Sequence, residues 1–161
     1  MKIVFVAVLI WGTLLSAFDA KDLQQLKEDG DCALCDLSYA DLSGFDLVMA
    51  DLRDANLSHA NLSNTHAHKA DFTNADLSDA LFVDANLKGA SFVGAILKHV
   101  NFYEAKLWKV DFSRSKIERC NFDESALGSA IFDKNDLRDS TFKGAILYKT
   151  VFHKTVLGIP K

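Results

Sequence analysis

Cys32 and Cys35 stand two residues apart, the spacing of a dithiol that can cycle between thiols and a disulfide. The strand–helix–strand setting of a redox enzyme is missing around them. The pair therefore reads as a structural disulfide of an oxidising compartment or as two buried thiols. His66 and His68 flank Ala67, and His59, Asp79 and His99 recur 20 residues apart. Imidazole and carboxylate are the ligands a divalent metal takes, but neither group closes a set of three or four. Surface histidines in water are the expectation, with no metal residue assigned. Asp or Asn recurs throughout at one position of a short repeat, which by residue type alone would suit general acid–base work. No Ser-His-Asp set, phosphate loop or nucleotide fingerprint accompanies these residues. No catalytic or cofactor-binding residue is assigned, no cofactor is expected, and the chain reads as a non-enzyme.

The elements that would position these residues follow from the composition and the period. The chain has 161 residues, 49% hydrophobic and 25% charged, enough for one globular unit and too balanced for a disordered tail. A net charge of −4 is not that of a basic nucleic-acid binder, and no nucleic-acid partner is expected. Met1 and Lys2 precede an apolar run from Ile3 to Leu15, followed by small residues at Ser16 and Ala17. This order reads as a secretory signal peptide over residues 1–20, cleaved near 17–20. The expectation is an exported protein, periplasmic or secreted, with no transmembrane span after processing. Residues 21–29 (KDLQQLKED) read as a short helix with Leu23 and Leu26 on one side, part of a cap and lead-in over 21–34.

From Cys35 the chain repeats every five residues: CDLSY, ADLSG, FDLVM, ADLRD, ANLSH, ANLSN. The centres run from Leu37 to Leu157, all Leu, Phe or Ile except Ala67, and a small residue stands two places before most of them. On a helix five residues advance 500°, which spreads the centres around the axis; on a straight strand an odd spacing alternates their faces. The pattern is consistent only if the chain turns a corner every five residues, with the small residue and the centre inward. From Phe72 onward large and branched centres alternate, with Ile117 once in place of Leu. A 20-residue turn gives pure columns, such as Phe82, Phe102, Phe122 and Phe142, whereas a 15-residue turn stacks Phe on Leu. The reading is a four-sided solenoid of about six coils.

The repeat A-(D/N)-(L/F)-x-x resembles the pentapeptide-repeat family, over about 125 of the 161 residues. The opening GDCALCDLSYADL is similar to the start of exported bacterial members. The resemblance implies an all-β fold, a right-handed quadrilateral parallel β-helix over residues 35–159. It also brings an alternative function, since some members mimic DNA and bind type II topoisomerases such as gyrase, conferring quinolone resistance. Those members want a uniformly acidic rod. Here residues 21–100 carry 13 acids and 6 bases, and residues 101–161 carry 8 acids and 11 bases.

Stacking the segments at 20-residue intervals assigns outward residues to walls. One wall, with segments from 45–49 to 145–149, carries Lys69, Lys88, Lys106, Lys109 and Lys149 against Asp46 alone, and displays His66, His68, Trp108 and Tyr148. The wall from 40–44 to 140–144 carries Asp41, Asp84, Glu104, Asp123 and Glu124 against Lys143. Lysine beside exposed aromatics suits an unknown protein or an anionic envelope component, so the function read here is a non-enzymatic structural or interaction module. Three further expectations concern the interior and the ends. Phe45 and Ala67 compensate each other in volume, Asn135 bonds a turn carbonyl from inside, and Cys120 is an inert buried thiol. The C-terminal coil, guarded by Ile159, Pro160 and Lys161, pairs end to end in a homodimer.

Overall fold

The computed structural model describes residues 19–158. The expected signal segment, apart from Asp19 and Ala20, and the C-terminal residues 159–161 lie outside the described residues. Helix α1, Ala20–Asp29, opens on Asp19, whose carboxylate accepts from the Lys21 amide at 2.8 Å. It closes on Gly30, where φ is 75° and the amide returns to the Leu26 carbonyl, a left-handed stop that glycine makes without strain. Leu26 is buried and Leu23 partly so, as the spacing predicts.

Beyond the helix every bridge is parallel and joins a residue to the one 20 further on: Asp36 to Asn56, Asn56 to Asp76, Asp76 to Ile96. Four segments lengthen into short strands, β1 (Ile96–Lys98), β2 (Lys116–Glu118), β3 (Ile131–Asp133) and β4 (Val151–His153). β1 pairs with β2 and β3 with β4 in the same register, Leu97 opposite Ile117 and Phe132 opposite Phe152. One coil is therefore 20 residues, a parallel β-helix in which four repeats are spent before the chain meets itself.

The corners are made the same way each time. The amide of Ala40 donates to the Leu37 carbonyl, and the pattern recurs at Ala60 to Leu57 and Ala80 to Leu77. The last residue of each repeat has positive φ, from Leu34 to Lys154, with Asp139 outside the set. A turn closed by an i to i+3 bond with a left-handed third residue is type II, which glycine or asparagine fills most easily. Here the corners hold Tyr39, Lys69, Glu104 and Arg119 as readily. The Asp or Asn before each centre serves the turn. Its carboxylate or amide oxygen accepts from the amide two residues on, as Asp41 from Ser43 at 3.1 Å. The Asn56 side chain also donates to the Asp36 carboxylate one coil below at 3.1 Å.

Inside, the centres are fully buried from Leu37 to Phe112. Phe72, Phe92, Phe112 and Phe132 form one face-to-face stack, and Phe82, Phe102 and Phe122 another, with centroids 4.8–5.2 Å apart. The stacks meet edge to face across the interior, Phe72 to Phe82 at 5.7 Å and 87°. Both contacts are the low-energy arrangements of aromatic quadrupoles, so one packing unit serves the interior from Phe72 onward. Asn135 points inward and donates to the Phe112 and Ser115 carbonyls, each at 2.9 Å, while its Oδ1 has no partner. Phe45 departs from a purely interior role: half-buried, it lies under Lys27 of α1, whose Nζ is 5.9 Å from the ring centroid. Ala67 is fully buried. Phe45 thus belongs to the junction of cap and coil as well as to the core.

Candidate interaction surface

The two ends of the ladder differ. At the N-terminal end, carboxylates of the cap segment take the amides that open the first coil. Asp36 N–H donates to Asp22 Oδ2 at 2.7 Å, Asp51 N–H to Asp31 Oδ1 at 2.7 Å, and the Asp19 amide donates to the Asp36 carbonyl at 3.0 Å. At the other end Ile146, Leu147, Val151, Val156 and Leu157 are 40–53% exposed. Leu137, Phe142, Leu147, Phe152 and Leu157 line a cavity of about 590 Å³ there, and the Leu147 and Lys149 amides have no backbone partner among the described residues.

Cys32 and Cys35 are bonded, with Sγ atoms 2.03 Å apart, and close the lead-in just before the first full coil. Cys120 is buried and free, and burial pushes its thiol up to about 12. The histidine column is a chain of pairwise contacts. Tyr39 stacks on His59 at 4.4 Å, His59 faces Asp79, His99 Nδ1 lies 3.2 Å from Asp79 Oδ1, and Arg119 reaches His99 Nε2 at 3.4 Å. An arginine donates only, so His99 Nε2 accepts and Nδ1–H is left to face Asp79. Both ring nitrogens are thereby engaged, and among the described residues no group of three His, Cys, Asp or Glu gathers around a point.

The basic wall keeps its lysines in water: Lys69, Lys88, Lys106, Lys109 and Lys149 are all exposed, as is His66, while His68 is half-buried. Tyr148 is 62% exposed with Lys149 Nζ 5.1 Å from its ring centroid. Trp108, expected on the outer surface of this wall, is less exposed than Tyr148. It is half-buried, because the next coil places Gly128 beneath it. A Cβ added to Gly128 would lie 1.9, 2.2 and 2.5 Å from Cζ3, Cε3 and Cη2 of the indole. These distances put that point over the face of the six-membered ring, not beyond its edge. The indole is laid face-down on the Gly128 backbone. Gly89 only neighbours the Lys69 stem: an added Cβ would stand in ordinary contact, 3.6 Å from Lys69 Cγ. Neither glycine stands out in the sequence alone. The signal is a bulky residue followed 20 positions later by glycine. The acidic wall keeps Glu104, Glu124 and Asp84 exposed, and the Asp41 carboxyl is held below its usual range, first by a hydrogen bond from the Ser43 side chain.

The walls are not wholly without relief. A cavity of about 450 Å³ is lined by Lys116, Glu118, Lys134, Asp136, Arg138 and Asp139, beside the one corner that is not left-handed. Arg138 holds Asp136 in a two-pronged contact, and that pairing holds the Asp136 carboxyl low. Lys116 and Glu118 are also paired, at 3.9 Å, so most of the charges that flank the recess are engaged with one another.

A family model described as Pentapeptide repeats matches in eight copies over residues 35–79 and 80–119. A crystal structure of a pentapeptide repeat protein, Rfr23 of the cyanobacterium Cyanothece 51142, is 22% identical; the match covers 85% of this chain and 97% of that one, with a TM-score of 0.55. HetL, a pentapeptide repeat protein involved in heterocyst differentiation regulation in the cyanobacterium Nostoc sp. strain PCC 7120, is 24% identical over 77% of this chain and 66% of its own, with a TM-score of 0.41. QnrB1, a plasmid-mediated fluoroquinolone resistance protein, is 20% identical over 77% of this chain and 80% of its own, with a TM-score of 0.32. No curated protein matches the chain. The Rfr23 likeness implies that the coil is right-handed.

Proposed function

Because the chain belongs to the pentapeptide-repeat family, we propose that it is a non-enzymatic interaction module, a rigid four-sided rod of about six coils that presents its basic wall to an anionic partner. The observation that carries this reading is the wall itself. Five exposed lysines face one aspartate, Asp46, which stands at the wall's N-terminal end. The interior is filled by side chains, so binding energy has to come from the outer surface, and a wall of one sign attracts an opposite charge over about 10 Å in physiological salt. The DNA-mimic alternative asks for acidic charge around the rod, and this wall interrupts it. The test is cosedimentation with isolated cell envelopes. The wild type sediments and is released by salt, whereas Lys69→Gln/Lys109→Gln/Lys149→Gln stays in solution. Equal sedimentation of both proteins rejects the reading.

Export is part of the proposal. Its supports are the apolar N-terminal run and the bonded Cys32–Cys35 pair, which persists in oxidising compartments. No helix among the described residues is long and apolar enough to cross a membrane. Asp19 supports the earlier of the two cleavage positions. It caps α1 and bonds Asp36, so cutting after Ala17 keeps it and cutting after Ala20 removes it. Processing after Ala17 is proposed, and the mass of the mature N-terminus checks it; an unprocessed cytoplasmic protein contradicts export.

A second copy is proposed to cover the C-terminal coil end to end, burying Leu147, Val156 and Leu157 and pairing the free amides. A monomeric mass by light scattering across the micromolar range contradicts the dimer.

A further inference from the structure

Two columns of the basic wall carry information beyond their sign. At the corners run Lys69, Gly89, Lys109, Ser129 and Lys149. The three lysines share the left-handed conformation, with φ of 60°, 58° and 57°, so their Cα–Cβ bonds leave the backbone in the same way. Bridged coils are spaced about 4.8 Å apart, which sets the three lysine backbone positions about 10 Å from one another with a small residue between. Beside them run Lys88, Trp108, Gly128 and Tyr148. The indole lies face-down on Gly128, so its other face is turned outward, one coil further along the rod than Trp108 itself and beside the corner column. No carboxylate stands on this wall from His66 to Lys149.

We propose that this wall binds a linear acidic polysaccharide laid along the rod axis, with one anionic group on every second sugar ring. This rests on the reading of the basic wall as the working surface and names its ligand class. One coil step is close to the length of one ring in an extended glycan, so alternate rings meet Lys69, Lys109 and Lys149. The uncharged ring between them passes over Gly89 or Ser129. The flat indole suits the C–H face of a pyranose, a weak contact that accumulates along a chain. Nucleic acid fits less well, since it carries a phosphate every ~3.4 Å per strand against one corner lysine every ~10 Å.

The test uses hyaluronan oligosaccharides, in which a carboxylate alternates with a neutral ring, titrated calorimetrically into the purified protein. Oligogalacturonate, with a carboxylate on every ring, and a short DNA duplex are the competitors. Affinity is expected to rise with hyaluronan length until the fragment spans Lys69 to Lys149 and then to level off. Trp108→Ala should weaken binding about tenfold in protein that is still fully folded at the assay temperature, and Trp108→Phe should recover most of it. Asp123→Asn, on the acidic wall, should change nothing. Binding of DNA or oligogalacturonate as tight as hyaluronan, or hyaluronan binding indifferent to Trp108→Ala, overturns the polysaccharide while leaving an anionic partner standing. No binding of any of the three polyanions overturns the polysaccharide as well, and the envelope assay then decides the wider reading on its own.

Discussion

The basic and acidic walls are neighbours built from the same five-residue unit. Each turns a small residue and a centre inward and three residues outward. The basic wall buries Leu87, Leu107 and Leu127; the acidic wall buries Phe82, Phe102 and Phe122. These interiors are constrained by their stacks, because a rod filled by side chains tolerates neither a void nor an extra ring. The outward residues carry no such constraint, and there the walls diverge, to a net +4 and a net −4. Two neighbouring surfaces of opposite sign on one uniform scaffold show that packing does not dictate the outer charge. The contrast between walls is where function is to be sought.

The largest effect separates inside from outside. Phe112→Ala removes a ring from the middle of a stack and should cost about 3–5 kcal/mol. Lys109→Ala, close by in the chain but in water, should cost less than about 0.5 kcal/mol. Urea midpoints read both, and equal midpoints break the assignment of inward and outward positions.

The next effect belongs to the acidic wall, whose inward slot holds Cys120. Its thiol titrates near 9.0 when unfolded and near 12 when buried, so the folded state keeps a proton that the unfolded chain has lost. Stability should therefore fall as pH rises from about 9 toward 12, by an amount on the order of 4 kcal/mol at the upper end. The melting midpoint of wild type against Cys120→Ala isolates this loss. The lowered Asp41 acts at the opposite end of the scale: its contribution is present above the ordinary carboxylate range and is lost as pH falls through its folded value.

Gly128→Ala tests the basic wall. The added Cβ meets the indole face, and the Trp108 ring must swing off the wall. A cost of about 1 kcal/mol and a red-shifted Trp108 emission, read in protein that begins at Phe18 and so keeps Trp108 as its one tryptophan, are expected. An unchanged spectrum means that the indole does not lie on Gly128.

The smallest effect is the most telling about function. Lys109 occupies a left-handed corner, a conformation asparagine tolerates better than lysine. Lys109→Asn should raise stability by about 0.5 kcal/mol while weakening binding to the anionic partner. A parallel loss of both means that Lys109 serves the fold.

The fold's period, the 20-residue coil and the Phe columns were legible in the sequence because interior packing forces residue type at fixed intervals. Asn135 was legible for the same reason, as an amide in a slot that must find carbonyls. The left-handed corners were not. The corner position accepts Leu34, Lys69, Asp84 or Arg119, so composition does not betray a conformation the backbone bonds impose. The carboxylates of Asp22 and Asp31 escaped notice because their role depends on where the cap segment returns to the first coil. The basic wall was visible once the register was known. That Trp108 is only half exposed was not legible, because its placement depends on Gly128, in the next coil.

The most direct test of the central claim is a pair of binding isotherms on one anionic polymer, hyaluronan, at fixed ionic strength. One compares wild type with Lys69→Gln/Lys109→Gln/Lys149→Gln. The other compares wild type with Asp84→Asn/Glu104→Gln/Asp123→Asn. The account predicts that the first triple loses at least tenfold in affinity and the second is unchanged or slightly tighter. Equal affinities for all three proteins, or loss only in the acidic-wall triple, would contradict it.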